Sequence, residues 1–324
     1  MKRLLLPIIA FLFGSLMGQT SGQDYKSKGI ASFRANQNDS ALIYLNLALE
    51  ADEKDGEVLG ALALVYFQIG DANTAMSYAR KARKHKKTVT ADAYIAGALG
   101  SEKLVKPKQR DRWLNQGLKR FGGDYLLLYH AGRVNIPYNR ELGEKYLIRS
   151  VYAAPWFAES HYLLGQQMFR HGENLKAVLP LFYFLLLENS TERSKESVLN
   201  IELLYKAWAA SSVGASKMNR VSSGFVSAFI PEEADFKPLD YASRSSWFVN
   251  QSVDLLNSQG TIKSQSDDVL WEFYSDFFSK AVQLGNAEAL AWHLANSRYP
   301  AEVLEWVAGN AAQYKTMTDW LSVQ

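Results

Sequence analysis

Residues Leu59–Lys87 read LGALALVYFQIGDANTAMSYARKARKHKK. Leu62, Val65, Tyr66 and Ile69 recur at intervals of three and four, which places their side chains on one face of an α-helix. Gly70 and Asp71 break that helix, and Ala75, Tyr78 and Ala82 mark one face of a second. Two antiparallel helices cross tightly only where small side chains sit at the point of approach. Ala63, Ala75 and Ala82 supply that need, while Leu62 and Tyr66 fill the flanking space.

The pattern repeats. Stepping 34 residues toward the N-terminus gives Gly29, Ala41 and Ala48 at the same three places. Stepping 34 forward gives Gly97, and the second helix of that unit, KPKQRDRWLNQGLKRF, slips by one residue to close on Gly117. A fourth unit carries Ala131, Gly143 and Ser150, followed by Pro155, and a fifth carries Gly165, the turn glycine Gly172, and Ala177. Phe184 stands at the fifth closing position, where a widened contact with the following chain is expected.

This register resembles the tetratricopeptide-repeat (TPR) family, whose unit is 34 residues long. The resemblance implies an all-α fold, a right-handed α-solenoid of five helix-turn-helix units over about residues 23–190, then a helical C-terminal domain or cap over 191–324. The third unit is the least regular, because Lys106, Pro107 and Lys108 interrupt the usual inter-helix turn. Helical periodicity in the remainder falls at 191–215, 241–257, 267–284, 286–297 and 301–321, with a long loop over 218–240. Residues Lys280–Leu294 resemble one Sel1-type repeat. Trp208, Trp247, Trp271, Trp292, Trp306 and Trp320 all lie in this part, where a repeat array needs an apolar cap.

The N-terminus reads as a signal peptide over 1–22. Lys2 and Arg3 precede an apolar run, Leu4–Leu16, that is too short to span a bilayer, and Gly18 and Gly22 offer cleavage points. The mature chain is therefore expected in a periplasm or secreted, with no transmembrane anchor after cleavage. Its lack of cysteine excludes disulfides, thiolate metal sites and a lipid-bearing cysteine. An exported chain of formal charge +3 is not expected to bind nucleic acid.

No phosphate-binding loop, dinucleotide fingerprint, zinc-protease motif or nucleophile elbow is present. The histidines (His85, His130, His161, His171, His293) lack helical metal-ligand spacing. The acids Glu232, Glu233 and Asp235 are not brought to Asp267 and Asp268 by any pattern. No catalytic residue, metal or cofactor is expected.

The TPR resemblance further implies a concave groove lined by the first helix of each unit. Carried over residue by residue, it contains Lys26, Ile30, Phe33 and Arg34, then Leu64, Phe67 and Gln68, then Tyr94, then Tyr125 and Asn135, then Tyr162, Gln166, Phe169 and Arg170. That chemistry suits a protein or peptide partner. The carboxylate clamp of chaperone-binding TPRs is not matched, since Ile30, Gly60 and Leu64 stand where the clamp needs other residues.

A second surface is electrostatic. Residues 80–120 hold 13 bases and 3 acids, a balance of +10, which suits an anionic envelope component. Residues 221–324 hold 13 acids and 6 bases, a balance of −7. The leading expectation is a non-catalytic binding scaffold of the bacterial cell envelope or secreted space. The rivals are an enzyme with an unrecognised site in the C-terminal region and a structural part of an envelope assembly.

Overall fold

The computed structural model describes residues 22–212, 241–258 and 269–324. The signal segment, the loop expected over 218–240 and the acids at 232–235 and 267–268 lie outside these residues, as do the side chains of Trp208 and Trp271. Every described element is a helix, and no described helix is long and apolar enough to cross a membrane. The chain divides between Ala153 and Ala154 into two compact units.

The first unit is built of four helix pairs. Helix α1 (22–34) pairs with α2 (Asn38–Ala51), α3 (Gly56–Gln68) with α4 (Ala72–Lys84), α5 (Ala91–Lys103) with α6 (Pro107–Arg120), and α7 (Tyr125–Asn135) with α8 (Arg140–Ala153). Small residues stand at each crossing. A Cβ added to Gly29 would lie 2.6 Å from Leu45, one on Gly97 would lie 2.4 Å from the Trp113 ring, and one on Gly132 would lie 2.7 Å from Leu147. No real Cβ tolerates such contacts, so these positions fix how closely each pair packs. Ala41, Ala48, Ala63, Ala75, Ala82 and Ala131 are likewise buried.

Most pairs are joined by the same three-residue turn. Gly70 N–H donates to Phe67 O and Asp71 N–H to Tyr66 O, at 3.0 and 2.9 Å. The same two bonds recur at Asn36 and Gln37, and at Val105 and Lys106. This pattern is the Schellman closure, which puts the middle residue of the turn in the left-handed region. Asn36 has φ +58°, Gly70 +96° and Val105 +54°. The third turn is thus not interrupted as the sequence suggested. The one-residue slip is absorbed at the end of α5, and Lys106 and Pro107 open α6, with Pro107 in the first helical turn, where its missing N–H costs no bond. The cost falls on Val105, a β-branched residue in a conformation that favours glycine.

Side chains tie the first helices into one layer. Lys26 Nζ reaches Asp55 and Glu57 at 3.1 and 2.8 Å, and Gln68 Nε2 donates to Asn36 at 2.8 Å. Arg133 pairs with Glu102 across α5 and α7. Asp55, Asp71 and Asp124 cap α3, α4 and α7 by accepting backbone N–H groups.

The second unit starts with one more pair, α9 (Ala158–Arg170) and α10 (Asn174–Leu187), closed by the same turn at Gly172, φ +72°. Gly165 meets Leu181 as Gly29 meets Leu45. From Ala177 to Leu185, α10 buries nearly every side chain, so it forms the centre of this unit. Around it lie α11 (Glu192–Ser212), α12 (Tyr241–Asn257), α13 (Val269–Gln283), α14 (Ala287–Ala295), α15 (Pro300–Gly309) and α16 (Ala311–Leu321). The helix expected over 301–321 is two helices, because Asn310 ends α15 and then stands before the first turn of α16. The turn at Gly285, φ +75°, repeats the Schellman bonds between α13 and α14, so Lys280–Leu294 does form a helix-turn-helix.

Long-range polar contacts hold the second unit. Buried Glu202 accepts from Arg298 Nε at 3.1 Å and from the Tyr299 hydroxyl, with Arg244 at 3.9 Å. The Trp292 and Trp306 rings stack at 5.7 Å, and Trp320 packs on Phe277 at 5.1 Å. Phe184 fills its enlarged closing position by packing on Tyr162 at 4.9 Å, under the Arg193 guanidinium at 5.2 Å.

Relief of the left-handed valine gives a direct test of this turn. Val105→Gly is expected to stabilise the chain by about 1 kcal/mol, a rise in Tm of about 3 °C. Thermal unfolding followed by circular dichroism measures it.

Candidate functional site

The residues expected to line a groove fall in both units, and each set stands by itself. In the first unit, Ile30 and Phe33 are half-buried against the cluster around Leu45 and Leu62, and Leu64 packs on the cluster around Ala63 and Ile95. Phe67 is also half-buried, and Arg34 and Gln68 are exposed. These side chains leave apolar surface on the layer of first helices, with hydrogen-bonding groups beside it.

Three residues carry different roles from those expected. Lys26 is held by Asp55 and Glu57 and staples α1 to α3. Burial opposes its charge most, but the bonds to Glu57 and Asp55 outweigh that and raise its pKa. Tyr94 is 6 % exposed, edge-on to Trp113 and Phe121 at 6.0 and 5.8 Å, with its Cβ against Gly117. It is a wedge between α5 and α6 with little surface for a partner. Asn135 donates to Ala131 O at 2.8 Å, one turn back on its own helix. Tyr125 stays half-buried, and its carbonyl accepts from Ser150.

The layer also holds a row of acids that the sequence reading passed over. Glu57, Asp92 and Asp124 stand at the starts of α3, α5 and α7, close to one another in successive repeats. Burial raises the pKa of Asp92 most, the charges of Asp124 and Glu57 add to the rise, and the Thr90 hydroxyl and Arg34 oppose it. Burial also raises that of Asp124, against its bonds to the N–H groups of Leu127 and Leu126. No described side-chain cation bonds Asp92. The signal was present as acids recurring near the start of each repeat, a place where helix capping alone explains them.

In the second unit, α9 carries Tyr162, Gln166, Phe169 and Arg170. Tyr162 packs on Phe184 under Arg193, with its hydroxyl 3.4 Å from Glu196. Gln166 is buried and its Nε2 has no bonded partner, Phe169 is half-buried, and Arg170 is exposed. His161, on the same helix, is fully buried. Its Nε2 lies 2.8 Å from Pro155 O, and its Nδ1 lies 2.8 Å from the Tyr274 hydroxyl. A carbonyl can only accept, so Nε2 carries the proton and Nδ1 accepts from Tyr274. The ring is neutral, and burial lowers its pKa to about 4 despite the Pro155 bond.

No protein-family model matches the sequence, and no curated protein matches it. Solved structures do. PilF of Pseudomonas aeruginosa is similar at 15 % identity and a TM-score of 0.51, over 61 % of this chain and 89 % of that one. This chain has the TPR fold. PilW, described as a widely conserved type IV pilus biogenesis factor, aligns at 16 % identity over 63 % of this chain and 98 % of its own, with a TM-score of 0.46. YrrB, a TPR protein described as having an unusual peptide-binding site, aligns at 16 % identity over 52 % of this chain and 87 % of its own, with a TM-score of 0.37. The PilF likeness carries the TPR architecture, and the helix pairs and glycine crossings above are its local basis.

His161 gives this chain a pH signature. The unfolded chain, with an ordinary imidazole near ~6.5, binds the proton more tightly than the folded one. The contribution is therefore complete above about pH 6.5 and is lost as pH falls toward about 4, to a limit on the order of 3 kcal/mol. Urea unfolding at a series of pH values should show this loss in the native chain, and His161→Gln should reduce it by the His161 share, leaving that of buried His130, whose pKa burial lowers to about 3.

Proposed function

We propose that this protein is a non-catalytic scaffold that captures a peptide segment of a protein partner on the first-helix layer of its first unit. The observation that carries this reading is the pairing of half-buried Phe33, Leu64 and Phe67 with the acid row Glu57, Asp92 and Asp124. An apolar surface beside a partly desolvated carboxylate with no bonded cation suits a segment carrying apolar side chains and a lysine or arginine. Pairing with such a cation would offset the desolvation that raises the Asp92 pKa.

The N-terminal pattern Lys2–Gly22 favours a location in the cell envelope or the secreted space. An anionic envelope component remains a second class of partner, for the basic face over 80–120. Fractionation of cells into cytoplasm and envelope tests the location.

The partner reading predicts two separable losses. Phe33→Ala with Phe67→Ala should lower capture of the partner from an envelope extract by at least about tenfold. Asp92→Asn should lower it as well while leaving the fold as stable or more so, because it removes a like-charge repulsion. Capture by both variants at the native level, with helicity intact, would rule out this surface.

A further inference from the structure

The α5–α6 turn sets Val105 at 85 % exposure with φ +54°, where the corresponding turns use Asn36 and Gly70. A β-branched side chain is thus held in a strained conformation and covers nothing among the described residues. Lys103, Lys106 and Lys108 flank it, and none is paired with an acid among the described residues. Behind the turn, Lys108, Arg112 and Lys119 line one shallow groove on the solvent face of α6, together with Asn115 and Gln116. The single acid at its margin, Asp111, is paired with Arg110 at 2.9 Å.

The neighbouring helix continues this surface. Arg83 crosses from α4 to donate to Gln116 Oε1 at 2.7 Å, and its guanidinium lies over the Trp113 ring at 4.5 Å. The guanidinium of Arg120 bonds Lys86 O, closing the far end. Arg80, Lys84 and Lys87 are exposed beside them and form no ion pair among the described residues. The face of α4 and α6 is therefore one cationic surface with an apolar tip at its edge.

We propose that this face docks on an anionic lipid bilayer, with its cations on the lipid phosphates and Val105 entering the interface. Clustered lysine and arginine gain from the negative potential of such a surface, and the gain falls away with salt. The apolar tip decides between lipid and a soluble polyanion. A polyanion in water would engage the cations and gain nothing from an exposed valine, whereas the acyl boundary of a bilayer takes up an apolar side chain.

Co-sedimentation of the full chain with phosphatidylglycerol vesicles, against phosphatidylcholine vesicles, tests the proposal. Lys2, Arg3 and the apolar run Leu4–Leu16 are common to the native chain and its variants, so the loss between them reads the basic face. Preference for phosphatidylglycerol, abolished by salt, is expected. Lys108→Gln with Arg112→Gln and Lys119→Gln should weaken that binding by about a hundredfold. Val105→Gly should weaken it by about tenfold while raising the melting temperature, so a folding defect cannot account for the loss. Equal affinity for both vesicles, or an unchanged affinity in the triple variant, would overturn the proposal. Native affinity of Val105→Gly together with displacement by inorganic polyphosphate would assign the face to a soluble polyanion and overturn it too.

Discussion

Everything in this chain rests on how closely paired helices approach. The limit is set by residues with almost no side chain. A Cβ on Gly97 would stand 2.4 Å from Trp113, and one on Gly165 would stand 2.7 Å from Leu181. These contacts fix the crossing of each pair, and the crossing fixes which residues of the first helix face the next repeat and which remain open. The apolar surface at Phe33, Leu64 and Phe67 follows from that geometry. So does the separation of the solvent faces of α4 and α6, where the basic residues collect.

The turns apply the same economy. Asn36, Gly70 and Gly172 take the left-handed conformation that the Schellman closure needs, and they do so at little cost. Val105 takes it at a cost. That cost falls at an exposed turn among lysines that pair with no acid among the described residues, which is the observation behind the docking proposal. The acid row shows a related conflict. Burial raises the pKa values of Asp92 and Asp124, the charge of Asp124 adds to the rise at Asp92, and a bound cation would offset it.

The repeat architecture was legible in the sequence because crossings demand small residues at fixed spacing, and few other pressures produce that pattern. Gly29, Ala63, Gly97, Ala131 and Gly165 recur every 34 residues, and each stands at a buried crossing. The slip was legible too, between Gly97 and the second helix that closes on Gly117, but its effect on the turn was not: it moves Val105 into the glycine position. The burial of Tyr94 was missed because its partners, Trp113 and Phe121, are met only through packing. Lys26 read as a groove cation because its partners, Asp55 and Glu57, lie about 30 residues away and are met only through packing. In the second unit the decisive contacts are longer still: His161 meets Tyr274, and Glu202 meets Arg298 and Tyr299. No local period encodes such pairs. The break at Asn310 was hidden because apolar spacing continues through it.

The central claim is that a partner lies on the first-helix layer of the first unit. Site-specific photo-crosslinking measures this most directly, with the reactive group placed at Phe67 on that layer or at Ile43 on the exposed face of α2. The account predicts a discrete partner adduct from position 67 and none from position 43. An adduct formed only from position 43 would contradict it.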